Sequence, residues 1–151
     1  MSQWQAWIGR EERRDDRIDP GHFARWCAML DRDAPADGTT AQGFHWCLGL
    51  PDAPTAQLGP DGHPLRSDSP DSFFPPVPHP RRMWASSKVE FLAPIAVNAE
   101  IERISTIASI NEKSGSTGSL VFVDVAHETK ANGELAIKER QTLVYREANT
   151  A

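Results

Sequence analysis

An α+β domain, one short helix against a bent antiparallel sheet, is predicted by three features of this 151-residue sequence. An amphipathic helical stripe with a capping residue sits early, in DPGHFARWCAMLD. After Pro80 the chain switches to four extended, alternating segments. Asn132-Gly133, inside KANGEL, is the strongest short signal for a two-residue hairpin, expected as a type I′ turn. Helices gathered on one face of an antiparallel sheet define the α+β class. The length suits a single domain over residues 1–151.

The opening stretch WQAWIGREERRDDRI carries Trp4, Trp7 and Ile8 and then becomes almost wholly charged. It reads as a short strand or as a turn leading into a solvated face. Next, Asp19 is a good N-cap and Pro20 suits the first helical position. Phe23, Trp26, Cys27 and Leu30 follow at helical spacing and predict one buried stripe along about twelve residues. From Asp31 to Pro80 the chain reads as loop, with ten of its twelve prolines and one apolar island, GFHWCLGL. A loop this long is more often functional or disordered than filler. LGPDGHPL inside it is a tight turn by composition.

Pro75, Pro76, Pro78 and Pro80 make a stiff arm that delivers Arg81 and Arg82 to a nearly fixed place. RMWASSKVEFLAPI, AEIERISTIASINEK, SLVFVDVAHETK and LAIKERQTLVYREA then read as strands. Val121, Val123, Val125 and His127 share one face. Leu135, Ile137, Leu143 and Tyr145 alternate likewise, with Glu139 and Gln141 between them. Isoleucines 101, 104, 107 and 110 have helical spacing, but their β-branched density favours a strand, and a bulge reconciles the two. KSGSTGS is a looser second turn.

Composition narrows the function. A net charge of −5 argues against a general grip on nucleic acid. No run approaches the roughly 18 apolar residues of a membrane span. The N-terminus has no apolar signal core, so a cytoplasmic setting is expected. Cys27 and Cys47, twenty apart, are expected as buried, reduced thiols. The histidines (22, 45, 63, 79 and 127) form no metal-ligand spacing, so no metal is expected. No P-loop, G-x-G-x-x-G or G-x-S-x-G string occurs.

Few residues remain as candidates for chemistry. His45, between aromatics, can act as a general base only with a partner carboxylate and a pocket; otherwise it is a packed structural histidine. Asp31, Asp33 and Asp37 follow the helix, where turn chemistry explains them, and Asp33 is a weak catalytic candidate. Arg81 and Arg82 lie on opposite faces of a strand, so one of them points into a given groove. An arginine there suits phosphate, or simply keeps a strand edge soluble. Met83 and Trp84 are expected as core or groove lining.

The strings HW at 45, LGPDGHP, FFPPVPHPRRMWA and SGSLVFVDVAHE together resemble the N-terminal half of MaoC-like, type 2 hydroxyacyl-thioester dehydratases. The group most resembled is that of the mesaconyl-CoA and itaconyl-CoA hydratases, and the likeness runs from about Trp7 to Glu147. It implies a hot-dog fold, in which a curved antiparallel sheet wraps a helix. It also implies activity on acyl thioesters of CoA or acyl carrier protein, with no other cofactor and with a second hot-dog fold, identical or different, alongside. The family's D-x-N-P-x-H-x-D motif is absent, and LDRDAPADG, which holds Asp33, is its degenerate counterpart without a histidine. The resemblance therefore implies a half that shapes the acyl tunnel, through Trp46, Phe74 and Trp84 with Arg81 or Arg82 at the carrier's phosphates. The catalytic Asp and His are expected from a partner fold. A non-catalytic acyl-CoA binding module and an acyl-CoA thioesterase are the alternatives.

Overall fold

The computed structural model describes residues 3–115 and 118–148. In chain order the main elements are β1 (Glu11–Arg17), α1 (Pro20–Met29), β2 (Arg81–Phe91), β3 (Glu100–Gly115), β4 (Gly118–Ala131) and β5 (Glu134–Arg146). The strands form one sheet in the order β1-β3-β4-β5-β2, antiparallel throughout. The four strands expected after Pro80 are all present. Between β4 and β5, Asn132 and Gly133 have φ of 49° and 83°, the pair of positive values that a type I′ turn requires. The Asn132 side chain also accepts from the Glu100 backbone N–H at 2.9 Å, tying the turn to the start of β3. Ser116 and Thr117, in the expected looser turn, lie outside the described residues.

The isoleucine spacing resolves as a bulge. The β3–β4 register shifts between Ile107 and Ser109. One extra residue there returns Ile110 to the inner face already occupied by Ile101 and Ile107, and all three are buried. A second shift, between Trp84 and Ser86 on β2, likewise puts Trp84 and Ser87 on one face.

The charged opening run is strand β1, at the sheet edge beside β3, with Glu12, Arg14 and Asp16 half-buried and the residues between them exposed. Helix α1 starts as expected: the His22 N–H donates to Asp19 Oδ1 at 2.7 Å and Pro20 occupies the first turn. It spans ten residues rather than twelve. Its stripe ends at Cys27, because Leu30 has left the helix and lies exposed. Asp31 terminates it with φ of 52°. Met83 and Trp84 are also not core: they are 48% and 51% exposed on the edge strand. Cys27 is buried and Cys47 half-buried, and both thiols are free.

Two apolar clusters fill the inner face. One joins Ile18, Phe23 and Cys27 to Phe44, Leu48, Ile101 and Ile137. Phe44 is its hinge, in edge contact with Phe23 at 5.0 Å and with Trp26 at 5.5 Å. The other joins Trp4 and Val77 to Ile107, Val123, Val125, Leu143 and Tyr145, with Phe73 and Phe74 against it. The long loop is tied down at points. Arg10 donates to the carbonyl of Ser72 at 2.7 Å, and the Trp7 indole donates to the same oxygen at 3.1 Å. Among the described residues no helix is long and apolar enough to cross a membrane.

Phe44→Ala is expected to lower unfolding free energy by about 3–5 kcal/mol, read as a fall in the urea midpoint. Asp19→Ala, which removes only the cap, is expected to cost about 1 kcal/mol.

Candidate functional site

Between the two apolar clusters the inner face turns polar. Cross-strand register places Ser105, His127 and Glu139 side by side on β3, β4 and β5, and Gln141 beside Ser87 on β2. Alternation along β5 had put Glu139 and Gln141 in phase with Ile137, Leu143 and Tyr145, so they point inward with them. Glu139 is only 8% exposed.

The loop supplies what Glu139 lacks. Gly43, with φ of 98°, opens the 3₁₀ turn Phe44–Cys47, a left-handed start that glycine adopts without strain. Phe44 anchors that turn in the core. His45 and Trp46 are thereby placed over β5. Trp46 Nε1–H donates to Glu139 Oε2 at 3.0 Å, and Ser87 Oγ–H donates to Oε1 at 2.6 Å. His45 Nε2 lies 3.3 Å from Oε2. Trp84 Nε1–H in turn donates to Ser87 Oγ at 3.0 Å. Burial alone pushes the Glu139 carboxyl up, but the hydrogen bonds from His45, Ser87 and Trp46 hold it below its ordinary value. An ionised carboxylate only accepts, so the His45 proton sits on Nε2. Its Nδ1 is buried with no hydrogen-bond partner among the described residues.

His127 stands beside this group in a separate chain of bonds. Its Nδ1 lies 2.8 Å from Ser105 Oγ and its Nε2 lies 3.1 Å from Gln141 Oε1. The amide oxygen accepts from Nε2–H, which leaves Nδ1 to accept from the serine. Both bonds suit a neutral ring, and burial pushes its pKa below the usual 6.5.

Two cavities flank the polar band. One of about 380 Å³ is lined by His45, Leu48, Phe91, Pro94, Ile95 and Ile137, among others. The other, of about 370 Å³, lies under the proline arm, with Phe74, Arg82, Arg103 and Tyr145 in its wall. A void of about 10 Å³ lies between them, sharing His45 and Leu48 with the first and Arg14, Gly49 and Arg103 with the second. Arg103 fixes the segment in between, donating to the carbonyls of Leu48 at 3.2 Å and Gly49 at 3.0 Å.

The residues singled out from the sequence thus fall into three sets. His45, Trp46 and Trp84 converge on Glu139. Phe74 and Arg82 meet in the second cavity, the guanidinium 5.1 Å from the ring centre. Asp33 and Arg81 join neither set. Asp33 is exposed and makes no hydrogen bond or ion pair among the described residues, and Arg81 is exposed at the start of β2. Asp37 serves a turn, accepting from the Thr39 N–H and hydroxyl. The partner carboxylate and the cavity that a general-base role for His45 would need are both present: Glu139, 94 residues away in sequence, and the first cavity. Glu139 was missed as a site residue, although its inward phase on β5 was the signal. Among the described residues no group of three or more metal-ligating side chains occurs.

Neutral burial of His127 makes stability depend on pH. The unfolded ring binds a proton near pH 6.5, but the folded one resists it. The contribution is therefore complete above about 6.5 and is lost as pH falls through the lower folded value. Glu139, also depressed, adds a second loss below its ordinary 4.5. The urea midpoint is expected to fall between pH 7.5 and 5.5, and His127→Gln is expected to flatten that slope.

Residues 43–151 match the family described as hydroxyacyl-thioester dehydratase type 2, and this span holds His45, Trp46, Arg82, Arg103 and Glu139. Mesaconyl-C(4)-CoA hydratase from Chloroflexus aurantiacus is 39% identical over 149 residues, covering 97% of this chain and 52% of that protein. The chain thus spans about half the length of that relative. Among solved structures, the ChsH1-ChsH2 complex from Mycobacterium tuberculosis superposes with a TM-score of 0.63 at 8% identity, over 94% of this chain and 85% of that one. The HadBC (3R-hydroxyacyl-ACP dehydratase) complex of the same organism gives 0.60 at 15%, over 91% and 96%. The MaoC-like dehydratase from Rhodospirillum rubrum gives 0.59 at 14%, over 93% of each chain. The structural likenesses fix the fold as hot-dog, and the sequence match makes this chain a member of the type 2 hydroxyacyl-thioester dehydratase family.

Proposed function

We propose that this chain is one half of an enoyl-thioester hydratase, or hydroxyacyl-thioester dehydratase, acting on a CoA or acyl-carrier thioester beside a second hot-dog fold. The observation that carries the reading is the state of β2. Among the described residues this eleven-residue edge strand is paired only with β5. It exposes Met83, Trp84 and Phe91, and Trp46 and Leu92 lie exposed beside it. Native proteins rarely leave a long apolar edge uncovered. The buried His45–Glu139 group lies immediately behind it. A partner fold along β2 would cover the edge and close a seam over that group. A relative about twice this length supports a second fold of similar size.

Hydration of an enoyl thioester needs a base for the attacking water, an acid for the α-carbon and a donor to the thioester oxygen. In this reading the partner supplies the Asp and His. This chain walls the acyl group with Trp46, Trp84 and Phe74 and brings Arg82, with Arg81 at the rim, towards the carrier. A cytoplasmic setting belongs to the same reading, and the free thiols of Cys27 and Cys47 accord with it.

A second reading has one specific observation behind it. His45 is held through Nε2 by Glu139, while its buried Nδ1 has no partner among the described residues and its side chain lines a cavity. That is the arrangement of a general base oriented by a carboxylate. His45 would then take the water's proton on this chain and Glu139 would stabilise the resulting imidazolium.

Hydration of crotonyl-CoA and mesaconyl-CoA, measured for the chain alone and with its partner fold, tests both. Activity only in the pair, reduced less than about tenfold by His45→Ala, is the expected result. A loss of about 100-fold or more in His45→Ala would move the base onto this chain. Turnover in no pairing sinks the hydratase reading; CoA binding alone would then indicate a binding module, and release of free thiol a thioesterase.

A further inference from the structure

The second cavity, from which the hydratase reading uses only Phe74 and Arg82, holds more cationic side chains than that pair. Arg14, Arg66, Arg82 and Arg103 all line it, with His63, against a single carboxylate, Glu12. Glu12 is already engaged by Arg14 at 3.3 Å. Among the described residues Arg66, Arg82 and Arg103 form no ion pair within 4 Å, although Glu12, Glu139 and Asp16 act on Arg103 from further off. This concentration of cations occurs in a chain whose net charge is −5.

The arginines are held in place. Arg82 stacks over Phe74 at 5.1 Å and Arg66 over Tyr145 at 5.8 Å. Arg103 is fixed by the two carbonyls after the 3₁₀ turn, and its Nε is buried with no hydrogen-bond partner among the described residues. Tyr145, 1% exposed, adds a buried hydroxyl that approaches the Arg82 and Arg66 guanidiniums and has no other hydrogen-bond partner among the described residues. Guanidinium groups that repel one another, beside an unspent phenol donor, are costly to assemble without something to neutralise them. Arginine forks match the paired oxygens of carboxylate and phosphate.

We propose that this cavity is an oxyanion-binding site, with Arg66 and Arg82 at its mouth and Arg103 and Tyr145 at its base. The proposal rests on reading the chain as an acyl-thioester protein, because that reading supplies two sources of one chemistry. The anion is a carboxylate at the far end of the acyl group, or a phosphate of the thioester carrier. The void between the cavities sets Arg103 close behind His45, so an anion held here lies near the polar band rather than on a remote surface.

Calorimetric titration of the full chain at low salt with succinate, and separately with adenosine 3′,5′-bisphosphate, tests the site. Binding of at least one probe is expected, weakened about tenfold or more by Arg66→Ala, Arg82→Ala and Tyr145→Phe. Arg32→Ala, an exposed arginine outside the cavity, is expected to leave it unchanged. Circular dichroism of each variant checks that the fold persists, and Tyr145→Phe keeps the packing if an arginine variant fails. Preference for succinate assigns the acyl carboxylate, and preference for the bisphosphate assigns the carrier. Binding of neither probe, or equal binding by wild type and all three cavity variants, overturns the proposal. Crotonyl-CoA, whose acyl group has no carboxylate, still reports turnover in that event. The site and the hydratase reading therefore fail separately.

Discussion

A carboxylate on the central face of a sheet is the constraint around which this protein is arranged. Glu139 sits on β5 between two apolar clusters, where an unpaired charge is untenable. It stays ionised because three donors from distant parts of the chain converge on it: His45 and Trp46 from the loop turn and Ser87 from β2. Each donor has its own support. Phe44 packs the turn that carries His45 and Trp46. The bulge on β2 puts Trp84 on the same face as Ser87, to which it donates. The need to satisfy one charge thus couples helix, loop and edge strand.

That arrangement divides the inner face into zones with different chemistry. Apolar packing holds α1 and the 3₁₀ turn at one end and the proline arm at the other. The polar band between them carries two histidines in different circumstances. His127 has both nitrogens bonded and is closed. His45 has one nitrogen bonded and lines a cavity. The difference lies in what each ring has left to offer: only His45 keeps a nitrogen without a hydrogen-bond partner among the described residues. Beyond the band, arginines replace carboxylates. Arg103 belongs to both regions, since it fixes the segment after His45 and also walls the cationic cavity.

Family membership and the exposed β2 edge bear on the same question from different sides. A strand that shows Met83, Trp84 and Phe91 to solvent is stable in isolation only at a risk of association. A partner fold there would turn Trp46 and Trp84 from surface residues into walls. Their half-exposure departs from core packing and would then describe an open half of a groove.

Local physics made much of the fold legible in the sequence. Asp19 and Pro20 announced α1, Asn132-Gly133 announced its turn, alternation announced β4 and β5, and β-branched density announced β3, because each signal lies within a few residues of its effect. The family strings added the hot-dog architecture. Where the helical stripe stops, and how far Met83 and Trp84 are covered, depends on which neighbours reach them, so Leu30 falls outside the stripe and neither Met83 nor Trp84 is core. The polar site lay further from view. His45 was noticed for its setting and Glu139 for its phase, but neither names the other across 94 residues. Arg66, Arg103 and Tyr145 looked ordinary one by one. The sequence by itself determined the elements and the face each side chain takes along its strand, since both follow from backbone periodicity. Only the tertiary structure decided which inward side chains share a pocket. That depends on register, bulges and the path of a fifty-residue loop, none of which has a local code.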